Sequence, residues 1–515
     1  AKQEATTTQA APAAKKDENG VKPYASVITP NAVTDEGLFK VHRIDDKYFY
    51  EIPDTLLNRD MLMVSRIAKT ATNLGYGGEE LNRQMLRWEK KGNRILLRLI
   101  SYQNVANDTL EIFHSVQNSN LAPVIQAFDV KAFNNGASVV EVTDFFSKDV
   151  QALGLNKRQR ESYKVKRLDD KRSFVESIKS FPINIEARSL MTYEATDPPA
   201  NSNAGTITVE LNHSMLLLPK VPMPARRFDE RVGYFTLSQT DYGTDEQRAA
   251  KRRYIVRWRL EPKDEEAYAR GELVEPIKPI VYYIDPATPM KWRPYLKQGV
   301  EDWNKAFEAA GVKNAITAKD PPTPEEDPEF STEDARYSVI RYFSSETQNA
   351  YGPNVHDPRS GEILESHIGW YHNVMNLLRN WYFVQTAAVN PDARGVKFKD
   401  EVMGELIRFV SAHEVGHTLG LPHNMGSSAA FPVEKLRDAK FTQEMGTAPS
   451  IMDYARFNYV AQPEDKGVAL MPGIGVYDKH SVKWGYTYFP EMNGYDNVAK
   501  QSQWILEKGD DPMYR

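Results

Sequence analysis

Three histidines spaced four and six residues apart, with a glycine between the last two, leave residues 413–423 very few backbone paths (His413-Glu414-Val415-Gly416-His417-Thr418-Leu419-Gly420-Leu421-Pro422-His423). On a helix, residues four apart share a face, so His413 and His417 can address one point. Residues 401–412 carry apolar side chains at Val402, Leu406, Phe409 and Val410, a helical period with a buried face. The motif therefore continues a predicted helix. Gly420 lets the chain leave that helix in a conformation other residues avoid, which swings His423 back toward the same point. Three nitrogen ligands with one open position describe a catalytic zinc site rather than a structural one. His413, His417 and His423 are thus the candidate metal ligands and one Zn²⁺ the candidate cofactor. Glu414, beside the first ligand, is the candidate catalytic residue that handles a proton on metal-bound water. The competing reading is a core helix whose histidines merely hydrogen-bond to neighbours. Packing alone, however, does not call for three His and one Glu at these intervals.

A second element lies downstream, where Gly446 and Pro449 mark a turn before Ser450-Ile451-Met452-Asp453-Tyr454. A long histidine signature followed by such a methionine turn resembles the metzincin zinc peptidases. The resemblance implies that Met452 is a hydrophobic floor under the three imidazoles, not a ligand. The S-x-M-x-Y form is similar to the astacin and serralysin branches, which implies that Tyr454 is a catalytic residue helping to stabilise the oxyanion. A turn tyrosine packed on the core is the alternative. Asn424 departs from both branches, which place Glu or Pro directly after the third His, so the chain belongs to neither. RVGYF (231–235), PIVYYID (279–285), WNKAFEAAG (303–311), DPRSGEIL (357–364) and SIMDYARFNYVAQP (450–463) resemble a family of large bacterial zinc-dependent metallopeptidases. That family is abundant in Bacteroidetes-type bacteria and carries two uncharacterised domains ahead of the catalytic one. The similarity covers nearly everything after about residue 23. It implies an exported protein, whether periplasmic, outer-membrane-associated or secreted.

Length and charge narrow the rest. A chain of 515 residues is too long for one ordinary core, so two or three domains are expected. A formal charge of −5 leaves no basic footprint and argues against a nucleic-acid partner. No apolar run approaches spanning length; the densest, Met215-Leu216-Leu217-Leu218, stops at Pro219. Cysteine is absent, which excludes disulfides and a thiolate capping the zinc, and fits an exported protein. The first residue is Ala and residues 1–22 are rich in Ala, Thr, Gln and Lys, as expected of a flexible tail left after removal of a leader.

The expected fold class is α+β: a metzincin-like catalytic domain with a twisted mixed sheet and long helices, preceded by β-rich N-terminal domains. We divide the chain into a disordered tail (1–23), a β-rich region (24–270, with a further boundary allowed near 75–85) and the catalytic domain (271–515). Lys91-Gly92-Asn93 and Asn134-Asn135-Gly136 are predicted turns. Residues 150–180, highly charged, read as a solvated connector with short helical or extended pieces. A helix is predicted over 294–311 with Gly311 as its stop. The sheet edge that would pair with extended substrate is expected within 362–372. His367 and His372 read as cleft-wall or surface residues. His356 and Asp357 read as a turn rather than a structural Ca²⁺ loop. The expected substrate is a protein or peptide, hydrolysed as by an endopeptidase. Alternatives are a glycopeptide- or cell-wall-directed peptidase, with glycan or cell-surface contact through the N-terminal region, and a surface-binding protein that keeps the zinc scaffold without cleaving.

Overall fold

The computed structural model describes residues 20–71, 74–199, 202–490 and 494–515; the tail expected at 1–23 lies outside it as far as residue 19. By its contacts the chain forms two units, Ala1–Ser101 with Ala122–Leu218 and Tyr102–Leu121 with Pro219–Arg515. This division falls upstream of the one drawn from sequence near 270. Thr236–Asp241 pairs with Ala250–Ile255 and with Asn104–Val105, and Arg257–Trp258 with Glu362–Glu365, all inside the second unit.

In the first unit twelve strands make one antiparallel sheet. Its core closes on Trp88, Tyr50 and Phe39, whose rings meet edge to face. Tight turns at Gly92-Asn93 and Asn135-Gly136 join paired strands as expected. In the charged stretch 150–180 the expected extended pieces are built into the sheet rather than left as a solvated connector. Val165–Leu168 and Phe174–Ser180 both pair with Asn184–Ala195, because Leu168 and Ile178 turn inward while the charges line the outer face.

The second unit holds a five-stranded sheet built from β1 (Ile280–Ile284), β2 (Ile316–Lys319), β3 (Ser338–Phe343), β4 (Ala350–Tyr351) and β5 (His367–Tyr371). Their order is β2-β1-β3-β5-β4, parallel throughout except that β4 runs antiparallel to β5. The edge near the motif is therefore β4, not the 362–372 stretch. β5 lies between β3 and β4, and Glu362–Glu365 is the middle strand of a separate small sheet. Buried Ile363, Ile368 and Trp370 gave that stretch its strand character, whereas two-residue β4 carries no readable period.

Over 294–311 the structure has two helices, α1 (Arg293–Glu301) and α2 (Asn304–Glu308). At the junction Trp303 N–H reaches Val300 and Lys305 N–H reaches Asp302, three residues back instead of four. Both junction residues are committed elsewhere. The Asp302 carboxylate accepts two hydrogen bonds from the Arg408 guanidinium at 2.7 and 2.8 Å, and the Trp303 indole N–H donates to the Ala412 carbonyl at 2.8 Å. Chain reversal at Gly311 follows as expected. Beside the sheet lie α3 (Val374–Thr386), α4 (Asp400–Thr418) and α5 (Val476–Tyr486). α4 opens on Asp400 and Glu401, which suit the positive end of its dipole, and its last ten residues are almost entirely buried. No helix among the described residues is long and apolar enough to cross a membrane.

Candidate metal centre

α4 ends as its sequence requires. Gly420 N–H donates to the His417 carbonyl and Leu421 N–H to the Gly416 carbonyl, both at 3.1 Å, with Gly420 at φ +100°. This is the paired bonding of a Schellman ending, for which glycine is the favoured residue. A side chain at Gly420 would also collide with the Val256 carbonyl. Carbonyls left over at the helix end are taken by side chains: the Trp258 indole N–H bonds Thr418 and the Tyr486 hydroxyl bonds Leu419. The reversal brings His423 back over the helix.

The three imidazoles then converge. His423 Nε2 lies 3.0 Å from His417 Nε2 and 3.2 Å from His413 Nε2. The opposite nitrogens are engaged: His413 Nδ1 with the Ile451 carbonyl at 2.7 Å, His417 Nδ1 with the Leu421 carbonyl at 2.8 Å. A carbonyl can only accept, so both rings carry their hydrogen on Nδ1 and turn the Nε2 lone pair inward. A tetrahedral zinc with nitrogens about 2.0–2.1 Å away would hold them about 3.3 Å apart. The ring spacing and donor set fit such an ion. Burial pushes His413 down to about 3, with the neighbouring His417 adding to it, and burial takes His417 down to about 4. Both rings are neutral at neutral pH and need shed no proton to ligate. His423 is exposed, which leaves one side of the cluster open.

Beneath the rings lies the 450–454 turn. Met452 is buried, and a side chain at Gly416 would collide with its sulfur, so glycine lets the helix settle onto it. Asn424 N–H donates to the Met452 carbonyl at 3.0 Å, tying the third histidine to the same turn. The turn is in turn held by Asp478 on α5. Its carboxylate accepts from Ser450 Oγ at 2.7 Å and from the Ile451 and Gly475 N–H groups at 2.8 Å each. One residue, Ile451, thus links Asp478 to His413 through its N–H and its carbonyl. Burial pushes the Asp478 carboxyl up to about 6 against the pull of these donors.

Glu414 is buried, and burial pushes its carboxyl up to about 8, opposed by the Gly352 N–H just beyond β4. Tyr454 is 43% exposed, with its ring 4.3 Å from that of His423 and 5.7 Å from that of His413. A core-packed turn tyrosine would be covered; this one is not. Burial and the nearby Glu414 raise its hydroxyl, so it stays a donor at neutral pH.

Among the described residues the three motif histidines form the one group of three or more His, Asp or Glu able to share a metal. His372 pairs with the Tyr342 hydroxyl at 2.7 Å, and His367 lies 3.6 Å from Glu365. At His356–Asp357 the chain turns, with Gly361 N–H bonded to the Asp357 carbonyl, and the Asp357 carboxylate is closed by Arg359 at 2.6 Å. Asp478, Gly352 and Arg456, which abuts Tyr454, escape a reading from sequence. Each is brought in by tertiary packing, and only Asp478, third residue of α5 after Gly475, carries a local helix-start signal.

Residues 395–515 match the family model described as Met-zincin. Residues 78–263 and 21–70 match two domains of unknown function, DUF5117 and DUF5118. No curated protein and no solved structure matches the chain.

Proposed function

We propose that this chain, a metzincin-like zinc metallopeptidase with domains of unknown function ahead of its catalytic region, is an endopeptidase in which Glu414 is the general base. What carries the reading is the convergence of three imidazoles on one point, open on one side, with a buried carboxyl on the adjoining helix position. Zinc held by His413, His417 and His423 would supply a Lewis acid for the scissile carbonyl and for water. Glu414 takes the proton from the attacking water and returns it to the departing amine. A carboxyl whose burial already favours the protonated form is suited to both halves of that transfer; a nearby cation favours the ionised form it starts from. Tyr454 donates its hydroxyl hydrogen to the developing oxyanion. β4 is the edge on which an extended peptide would add as a further strand, with Gly352 next to Glu414.

Two measurements test these assignments. Peptides acetylated at one end and amidated at the other should still be cut internally; cleavage confined to free termini would contradict an endopeptidase. Tyr454→Phe should lower kcat roughly a hundredfold with little change in KM, as loss of one oxyanion donor does. An unchanged kcat would place the tyrosine outside the chemistry.

A further inference from the structure

The geometry points to Arg456 as the residue that selects substrates carrying a carboxylate beside the scissile bond. The inference rests on the peptidase reading above. Arg456 sits two residues past Tyr454 at φ +58°, a left-handed backbone that costs a long side chain energy and that glycine or asparagine would adopt more cheaply. Its guanidinium carbon lies 3.7 Å from the Trp381 ring centre on α3 and 4.2 Å from the Tyr454 ring centre. Both are well inside the range in which a cation is attracted to an aromatic face. Tyr454 in turn contacts His423, so the cation stands two ring contacts from the metal centre.

Arg359 and Arg408 in the same unit close on carboxylates, and buried Arg226 bonds main-chain carbonyls. The Arg456 guanidinium has no hydrogen-bond acceptor and no ion-pair partner among the described residues, although it is half-buried. Ring contacts engage the flat faces of a guanidinium and leave its in-plane N–H fork free. That fork matches a carboxylate with two parallel hydrogen bonds, and the rings hold it in place before substrate arrives. Since Tyr454 borders the position of the scissile carbonyl, the carboxylate belongs to a residue flanking the cut. It can come from an Asp or Glu side chain or from a free chain end. The competing role is a pin joining α3 to the loop after the methionine turn, which would affect stability and not selection.

The test separates these roles and does not depend on turnover. Glu414→Gln protein loaded with zinc is titrated with fluorescent peptides matched in sequence: one with a single internal Asp and an amidated end, one neutral and amidated, one neutral with a free carboxylate, one with an internal Lys. The Asp peptide should bind about tenfold or more tighter than the neutral amidated one. Adding Arg456→Glu should abolish that preference and favour the Lys peptide, while Arg456→Lys should keep part of it. Preference for the free-carboxylate peptide, equally lost in Arg456→Glu, would support the receptor and identify chain ends as its source. Unchanged relative affinities in Arg456→Glu, with only a lower melting temperature, would overturn the inference and leave a pin. If zinc-loaded protein with Glu414 intact cut nothing while Asp binding stayed Arg456-dependent, the peptidase reading would fail and the receptor would stand; cleavage by that protein indifferent to Arg456→Glu would do the reverse.

Discussion

Glu414→Gln should keep its zinc and its fold and lose nearly all hydrolysis. The exchange preserves shape in a buried site, and the Gly352 N–H still finds an acceptor oxygen. The imidazoles are untouched, with His413 held by Ile451 and His417 by Leu421, so metal content should match the parent by elemental analysis. What disappears is the carboxylate that, on the proposed mechanism, accepts a proton at the site and passes it on. General acid–base catalysis contributes roughly 10²–10⁴-fold to a rate, and kcat should fall by that order. A variant that retained a tenth or more of the parent rate with full zinc would remove Glu414 from the chemistry.

The second large effect is expected well away from substrate. Asp478→Ala should weaken zinc binding by roughly 10–100-fold, the range seen when a partner behind a metal ligand is lost. It deprives the Ser450 hydroxyl and the Ile451 and Gly475 N–H groups of their acceptor in a buried position, at about 1–3 kcal/mol for each group left unpaired. Ile451, no longer held at its N–H, fixes less firmly the carbonyl that orients His413. Asp478→Asn should rescue most of the loss. Its amide oxygen can accept the two N–H bonds now made to Oδ2, and its NH₂ can donate to Ser450 Oγ. Competition against a chelator of known affinity gives the zinc constant, and a thermal melt gives the stability. An Asp478→Ala protein that melts early but binds zinc as tightly as the parent would show that the turn is not held for the metal's sake.

How much of this was written in the sequence depends on how local each signal is. The helix bearing His413 and His417, its reversal at Gly420 and the return of His423 all arise within eleven residues, through bonds between near neighbours. Those features were legible. So were the turns at Gly92-Asn93 and Asn135-Gly136, where two residues decide the path. Met452 and Tyr454 were reached through family resemblance, since nothing in a five-residue stretch says that it will lie under a helix end some thirty residues earlier. The break between α1 and α2 was illegible for the same reason. The apolar stripe there runs on without interruption, and only the partners Arg408 and Ala412 on α4 show why Asp302 and Trp303 bend the chain. The edge strand was misplaced because buried interior strands are more apolar, and so more visible, than a short edge. Nothing local in the sequence ties Asp478 or Arg456 to the site; tertiary packing brings both there.

The central claim is that one zinc, held by His413, His417 and His423, is required for peptide bonds to be cut within a chain. A doubly blocked peptide library incubated with purified protein, with cut sites mapped by mass spectrometry, tests it in the as-purified, chelated and zinc-restored states. The expected result is internal cleavage that vanishes on chelation and returns, at the same bonds, with about one zinc per chain. Cleavage that persisted in protein shown by elemental analysis to be free of metal, or no cleavage at full zinc occupancy, would contradict it.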